Sequence, residues 1–296
     1  MPKLSHTARS LIVSTARQLR RAKLHFGHGT DNAADEAAAL VFHALDLPWD
    51  GGAAVYRRRP SVAEYRYLQS LLRRRIRERI PAVYLTGESF FAGLRLQVDE
   101  RALIPRSPFA ELISQGFEPF VDMTQVRRVL DIGTGGGCIA IAVAHYFPDC
   151  RVDAVDISAQ ALSLARHNRR LHGLAKRVRL VKSDVYRALT GRRYDMILAN
   201  PPYVGAREMA RLPAEYAHEP RLALASGRDG LDIVRRILAG AGRHLRPAGV
   251  LIVEVGNSER AVRRAWPQLP FTWLEFERGG GGGVFLLTAE QCRAIR

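Results

Sequence analysis

A repeated alternation in the second part of the chain constrains its fold more than any other feature. Apolar runs at residues 128–132, 151–155, 178–181, 194–199, 250–255, 271–276 and 284–287 read as strands, and long helical stretches separate the early ones. Parallel neighbours need connections of that length, so the pattern predicts an α/β fold with helices packed across a sheet. The last two runs are joined only through Arg278 and five glycines, Gly279 to Gly283. That link is too short for a helical crossover. The expected sheet is therefore mainly parallel, with one antiparallel strand near its edge.

The earlier part of the chain reads differently. Leu11, Ile12, Thr15 and Leu19 share one side of a predicted helix over residues 4–24. A second helix is expected over 32–45 with Thr30 or Asp31 as its cap, and a third over 61–80, stopped by Pro81. Phe90-Phe91 and 94–98, separated by Gly93, predict a short hairpin. Ile104-Pro105-Arg106-Ser107-Pro108 forms a constrained crossing, followed by a helical segment over 109–117. We expect a small helical domain over 1–85, then a hairpin linker and larger domain over 86–296.

Forty-five Lys and Arg face 29 acidic residues, a formal charge of +16. Such an excess favours an anion-rich partner, although solubility alone also accounts for it. Cys138, Cys150 and Cys292 lack metal or disulfide spacing, which suits a reducing, cytoplasmic compartment and no metal site. No apolar run is long enough to span a membrane. Residues 1–30 lack acids and superficially resemble an import segment, but read better as the start of the first helix.

Chemistry concentrates at the predicted strand ends. Asp131-Ile132-Gly133-Thr134-Gly135-Gly136-Gly137 places a glycine-rich turn between a strand and a helix. Missing β-carbons let a ligand approach the backbone, whereas an isolated glycine run also suits a plain tight turn. Asp156 follows the second strand, where a carboxylate accepts from both hydroxyls of a ribose; with Ser158 it equally suits a helix-capping turn. Asp184 follows the third strand and is placed to accept from an adenine amino group. So many carboxylates poorly serve a pyrophosphate. A cationic adenosyl cofactor is better served, favouring S-adenosylmethionine over NAD.

Asn200-Pro201-Pro202-Tyr203 closes the fourth strand. Two prolines lack N–H groups and stop both helix and sheet, leaving bare carbonyls between an amide and an aromatic ring. The run is either a strand terminator or a place to orient a planar substrate nitrogen.

Together these motifs resemble the class I S-adenosylmethionine-dependent methyltransferases, with a Rossmann-like sheet, and more narrowly the protein-glutamine N5-methyltransferases. The likeness extends over Phe26-Gly27-His28-Gly29-Thr30-Asp31-Asn32-Ala33, the Ile104-Pro105-Arg106 crossing, Glu219-Pro220, Asp229-Gly230 and Glu254-Val255-Gly256-Asn257. Where the release-factor branch usually continues the crossing with Pro, an acid, Thr and Glu, this chain has Ser107-Pro108-Phe109-Ala110. That difference, with the early Gly-His-Gly-Thr-Asp-Asn run and Phe271-Thr272-Trp273-Leu274-Glu275-Phe276, resembles the branch acting on large-subunit ribosomal protein uL3.

The resemblance implies uL3 as partner, possible ribosomal RNA contact, and a substrate-recognising helical domain. It implies that the Asn200 side chain and the Pro201 carbonyl accept the two amide hydrogens. Tyr203 packs on the amide and Pro202 stiffens the turn. Cofactor contacts are expected from Asp131, Gly133, Thr134, Gly135, Gly137, Asp156, Asp184 and Asn200. Glu219 and Glu254 are candidates for shaping the pocket. A release-factor methyltransferase, an adenine-N6 methyltransferase acting on nucleic acid, and a non-catalytic ribosome-assembly factor are the alternatives.

Overall fold

The computed structural model describes residues 6–277 and 282–295. Arg278, Gly279, Gly280 and Gly281 of the glycine link lie outside the described residues, as does the expected start of the first helix at Leu4. The chain divides into two compact units, one running to Ser89 and regaining Pro213–His218, the other comprising Phe90–Leu212 and the chain from Glu219.

The first unit holds α1 (Ala8–Arg21), α2 (Ala33–Ala44), α3 (Val62–Arg77) and α4 (Ala82–Thr86). Capping boxes set two starts: Thr7 with Ser10 on α1, and Ser61 with Glu64 on α3. Asn32 caps α2, accepting from the N–H groups of Ala34 and Asp35. The expected caps, Thr30 and Asp31, stand too early to reach those donors. Leu11, Leu19, Leu40, Leu68 and Leu72 build a common core.

The unit boundary falls within β1 (Glu88–Phe91), which pairs with β2 (Leu94–Gln97) in a two-stranded sheet. The second unit continues with α5 (Phe109–Ser114), β3 (Arg128–Ile132), α6 (Cys138–Tyr146), β4 (Arg151–Asp156), α7 (Ala159–Leu171), β5 (Val178–Lys182) and β6 (Tyr194–Ala199). Then come α8 (Ala206–Met209), α9 (Arg221–Leu224), α10 (Asp232–His244), β7 (Leu245–Glu254), α11 (Glu259–Ala265), β8 (Thr272–Trp273), β9 (Val284–Thr288) and α12 (Ala289–Arg293).

Seven strands form one sheet in the order β5-β4-β3-β6-β7-β9-β8. β3 pairs parallel with β4 and β6, whereas β9 runs antiparallel to both β7 and β8. The mainly parallel sheet with its antiparallel strand beside the edge is the expected class I methyltransferase arrangement. Val129 and Leu130 of β3 and Met196, Ile197 and Leu198 of β6 are all buried because both sheet faces are covered. Phe109, Ile139 and Val143 pack on one side, and Val234, Ile237 and Leu238 on the other. Two strand lengths differ from expectation. β7 begins five residues early at Leu245, passing through Pro247 across a register shift against β6, where few ladder bonds are required of it. β8 shrinks to Thr272–Trp273 because only those residues align with β9.

Candidate active site

The glycine turn and the proline tetrad meet where the strand order changes direction. From β3 the chain moves outward through β4 and β5, then returns to place β6 on the other side of β3. Such a reversal opens a crevice at the strand carboxyl ends. Ile132 and Ala199 are register partners, so Gly133 and Asn200 leave their strands side by side. A cleft of about 240 Å³ opens there, far larger than a water or single ion needs. Gly133, Thr134, Gly135, Asp156, Asp184, Asn200, Pro201 and Pro202 all line it.

Asp131, Gly137 and Tyr203 lie outside that lining. Asp131 is buried beneath the turn, where Thr134 Oγ1 donates to its Oδ2 at 2.6 Å and Ala140 N–H donates at 3.2 Å. Burial outweighs those donors and pushes its carboxyl up to about 7. It shapes the turn from below. Gly137, with φ +88°, is the N-cap of α6, and a Cβ there would stand 3.2 Å from Ala165 Cβ. Its role is close packing of α6 on α7. Tyr203 lies over Gly256, where an added Cβ would come within 2.7 Å of its ring. Its hydroxyl donates to Glu254 Oε1 at 3.1 Å, while Ser258 Oγ donates to its carbonyl at 2.8 Å.

The lining carboxylates have unlike surroundings. Asp156 accepts from Ser158 N–H at 2.8 Å and Gly135 N–H at 2.9 Å, combining the turn role with a place on the cleft wall. Burial raises its carboxyl despite these donors. Each oxygen retains a further lone pair for a ligand hydroxyl. Asp184 is held below the usual range by Arg236, whose Nη2 lies 2.7 Å from Oδ2. The three arginines of the lining are all engaged by carboxylates: Arg101 by Asp99 at 2.6 Å, Arg106 by Glu219 through two contacts, and Arg236 by Asp184. Such a wall is poorly suited to a polyphosphate and suits a neutral or cationic nucleoside-like ligand. Asn200 Oδ1 is buried on this wall with no hydrogen-bond partner among the described residues.

Behind the tetrad, Ser107 Oγ donates to Glu254 Oε2 at 2.5 Å, so Glu254 joins the crossing segment to Tyr203. Burial pushes the Glu254 carboxyl up to about 7, against the lowering effect of both hydroxyls. Neither Glu254 nor Glu219 lines the cleft; each holds a segment that does.

Residues 114–219 match the Methyltransferase small domain family. A ribosomal protein uL3 glutamine methyltransferase from Xanthomonas campestris is 50% identical over 291 residues, covering 98% of this chain and 92% of that relative. The protein of the same name from Neisseria meningitidis serogroup B is 46% identical over 286 residues, covering 96% and 94%. The chain belongs to the ribosomal protein uL3 glutamine methyltransferase family. A crystal structure of the hMettl16 catalytic domain in complex with MAT2A 3′UTR hairpin 6 shares its fold, with a TM-score of 0.53 at 18% identity over 70% of this chain and 80% of that one.

Arg236 and Ser107 are among the lining residues that the motifs did not mark as site residues. Arg236 comes from α10, well after the glycine turn, and only the folded sheet brings it to Asp184. Ser107 did carry a signal, because it departs from the release-factor pattern at the crossing. Among the described residues, no group of three or more His, Cys, Asp or Glu is arranged to hold a metal ion.

Proposed function

We propose that this protein methylates the side-chain amide nitrogen of a glutamine in ribosomal protein uL3, using S-adenosylmethionine. Kinship over nearly the whole chain supplies the acceptor, and one atom carries the chemistry: the buried, unpartnered Oδ1 of Asn200 on the cleft wall. A buried acceptor without a donor is costly, and a substrate N–H satisfies it.

The bound cofactor supplies an electrophilic methyl group on a sulfonium. Gly133 and Gly135 would let its adenosyl part approach the backbone, Asp156 would receive the ribose hydroxyls, and Asp184, held by Arg236, would receive the adenine amino group. Asp131 and Gly137 support this turn without facing the ligand.

An amide nitrogen is a weak nucleophile because its lone pair is delocalised into the carbonyl. Asn200 Oδ1 and the Pro201 carbonyl each accept one of its hydrogens, favouring the positive charge that develops on nitrogen and fixing its direction of attack. Pro202 stiffens the turn, and Tyr203, braced by Glu254, limits rotation of the amide. The new N–C bond forms as the S–C bond breaks, and the nitrogen releases one proton to water. The products are N5-methylglutamine and S-adenosylhomocysteine.

The proposal extends to a substrate-recognising role for the helical unit, ribosomal RNA contact and a cytoplasmic location. Among the described residues no helix is long and apolar enough to cross a membrane, and the three cysteines are free thiols.

The test incubates purified protein and methyl-labelled cofactor separately with uL3, a release factor and adenine-containing RNA or DNA. Label on a uL3 glutamine, located by peptide mass spectrometry, is expected; label confined to the release factor or to adenine overturns the assignment. Asn200→Ala should lower transfer by roughly 10²–10³-fold while calorimetry still detects cofactor binding.

A further inference from the structure

A second cavity in the larger unit shares no lining residue with the cofactor cleft. Its wall carries Arg207, Arg228, Arg260 and Arg264, drawn from α8, the loop before α10, and α11. All four are exposed, and none has a side-chain hydrogen bond or ion pair among the described residues. The contrast with the cofactor cleft is one of kind: there every arginine on the wall is engaged by a carboxylate.

Two acids, Glu208 and Asp229, share this wall with the four arginines, but each is engaged by another residue. Asp229 is engaged by Arg235 at 2.5 Å, and Glu208 accepts from Asn257 Nδ2 at 2.9 Å. Glu259 of α11 is engaged by Arg263 at 2.8 Å. Helix stability accounts for Arg264, which lies in the last turn of α11 where the dipole favours a cation, but not for Arg260, which stands in the first turn and four residues from that like charge.

The cavity adjoins the tetrad. Gly205 on its wall is two residues beyond Tyr203, and Ser258 on its wall donates to the Tyr203 carbonyl at 2.8 Å. An anion seated there lies beside the segment that orients the acceptor amide. Several guanidinium groups converging from separate elements match a chain of closely spaced phosphates better than a single carboxylate, because each planar fork can engage two phosphate oxygens.

We propose that the Arg207–Arg228–Arg260–Arg264 cavity is a docking site for the phosphodiester backbone of RNA adjoining the acceptor protein. The identity of that RNA as ribosomal rests on the function proposed above, whereas phosphate binding does not. The site holds RNA beside the acceptor and takes no part in methyl transfer itself.

The test is fluorescence anisotropy of a labelled RNA hairpin, titrated with the full-length protein over a series of salt concentrations and without cofactor. Arg260→Ala/Arg264→Ala should weaken binding about tenfold at physiological salt and reduce the magnitude of the log-affinity against log-salt slope by about 2. Arg207→Ala/Arg228→Ala, on different elements, should do the same, and thermal unfolding checks that both variants fold. The control is Arg151→Ala/Arg166→Ala, which removes equal charge from exposed positions elsewhere on this unit.

An equal loss in the control assigns RNA binding to overall charge and overturns the site. So does unchanged RNA binding in both cavity variants. Polyglutamate that displaces RNA from the wild type as effectively as unlabelled RNA overturns the choice of phosphate over an acidic polypeptide. Failure of uL3 methylation with these RNA results intact removes the proposed function but leaves the phosphate site standing.

Discussion

Both units bury carboxylates matched by an arginine, Glu36 and Glu215 in the helical unit and Glu219 in the larger one, but the larger unit also buries two that have no such match. In the helical unit Arg75 is fully buried, with Nε 2.7 Å from Glu36 Oε1 and Nη1 3.2 Å from Glu215 Oε1. Its Nη2 donates to the His25 carbonyl at 2.8 Å. Burial leaves Glu36 raised despite Arg75; at Glu215 the burial effect is outweighed by backbone N–H donors and Arg75, which hold it low. In the larger unit Asp131 and Glu254 are buried with hydroxyl and N–H donors but no ion-paired cation among the described residues. A buried acid matched by a cation ties structure together; here the acids without one support the glycine turn and the tetrad.

The largest effect should come from breaking the matched set. Arg75→Met leaves Glu36 buried without its cation and Glu215 with only the longer 3.6 Å contact to Arg79, and thermal or denaturant unfolding should show a loss of about 3–5 kcal/mol. Replacing both acids as well, in Arg75→Met/Glu36→Leu/Glu215→Leu, should recover much of it, because an apolar set of similar volume has no charge to desolvate. A loss below about 1 kcal/mol in the single variant would mean the cluster is not the tie that its burial suggests. Glu215 makes this result informative about the fold, since it lies in Pro213–His218, the segment by which the later chain returns to the helical unit.

Neither that return nor the ion cluster was legible in the sequence. A run such as Arg73-Arg74-Arg75 is ordinarily solvated, yet Arg75 turns inward to Glu36 of α2 and to Glu215 in a short 3₁₀ helix (Ala214–His218) 140 residues later. Periodicity identifies which face of a helix is apolar; it says nothing about a buried cation whose partners are remote. The sheet was legible because its signals are local: apolar runs, long crossovers, and the short glycine link that forces β9 to reverse. Of the site, the lining by Gly133, Thr134, Gly135, Asp156, Asp184 and Asn200 followed from the rule that ligands sit beyond strand carboxyl ends. Tyr203 and Asp131 were harder. Strand-end position brings a residue near the cleft, but whether its side chain faces the ligand or supports a neighbour depends on partners such as Glu254 and Ala140, outside the local motif.

An effect of comparable size, spread over pH, reports on the unmatched acids. Asp131 and Glu254 both sit at about 7 in the folded protein, against roughly 4 for unfolded carboxyls. Between those values the folded state binds more protons, so each group's contribution is full below about pH 4 and is lost as pH rises to about 7. The loss is roughly 1.4 kcal/mol per pH unit for each group. Urea unfolding from pH 4.5 to 7.5 (about 4 to 7 being the informative window) should show a shallower decline in Asp131→Asn than in the wild type. An unchanged profile would break the distinction between the two sets.

The smallest effect is the one that assigns Glu254 its role. If Glu254 acts by bracing Tyr203, then Glu254→Leu and Tyr203→Phe remove the same constraint from opposite ends of one hydrogen bond 3.1 Å long. Each should reduce kcat for uL3 about tenfold, the kinetic equivalent of roughly 1.4 kcal/mol, with cofactor affinity by calorimetry nearly unchanged. The double variant should fall little below the worse single variant, because groups that act through one contact are not additive. Multiplication of the two losses would show that Glu254 acts apart from Tyr203, and a matching loss of cofactor affinity would place its effect in the cleft. Ser107→Ala supplies the internal check. It removes the hydroxyl from the other Glu254 oxygen, and should lower kcat less than Glu254→Leu, since the carboxyl group still accepts from Tyr203.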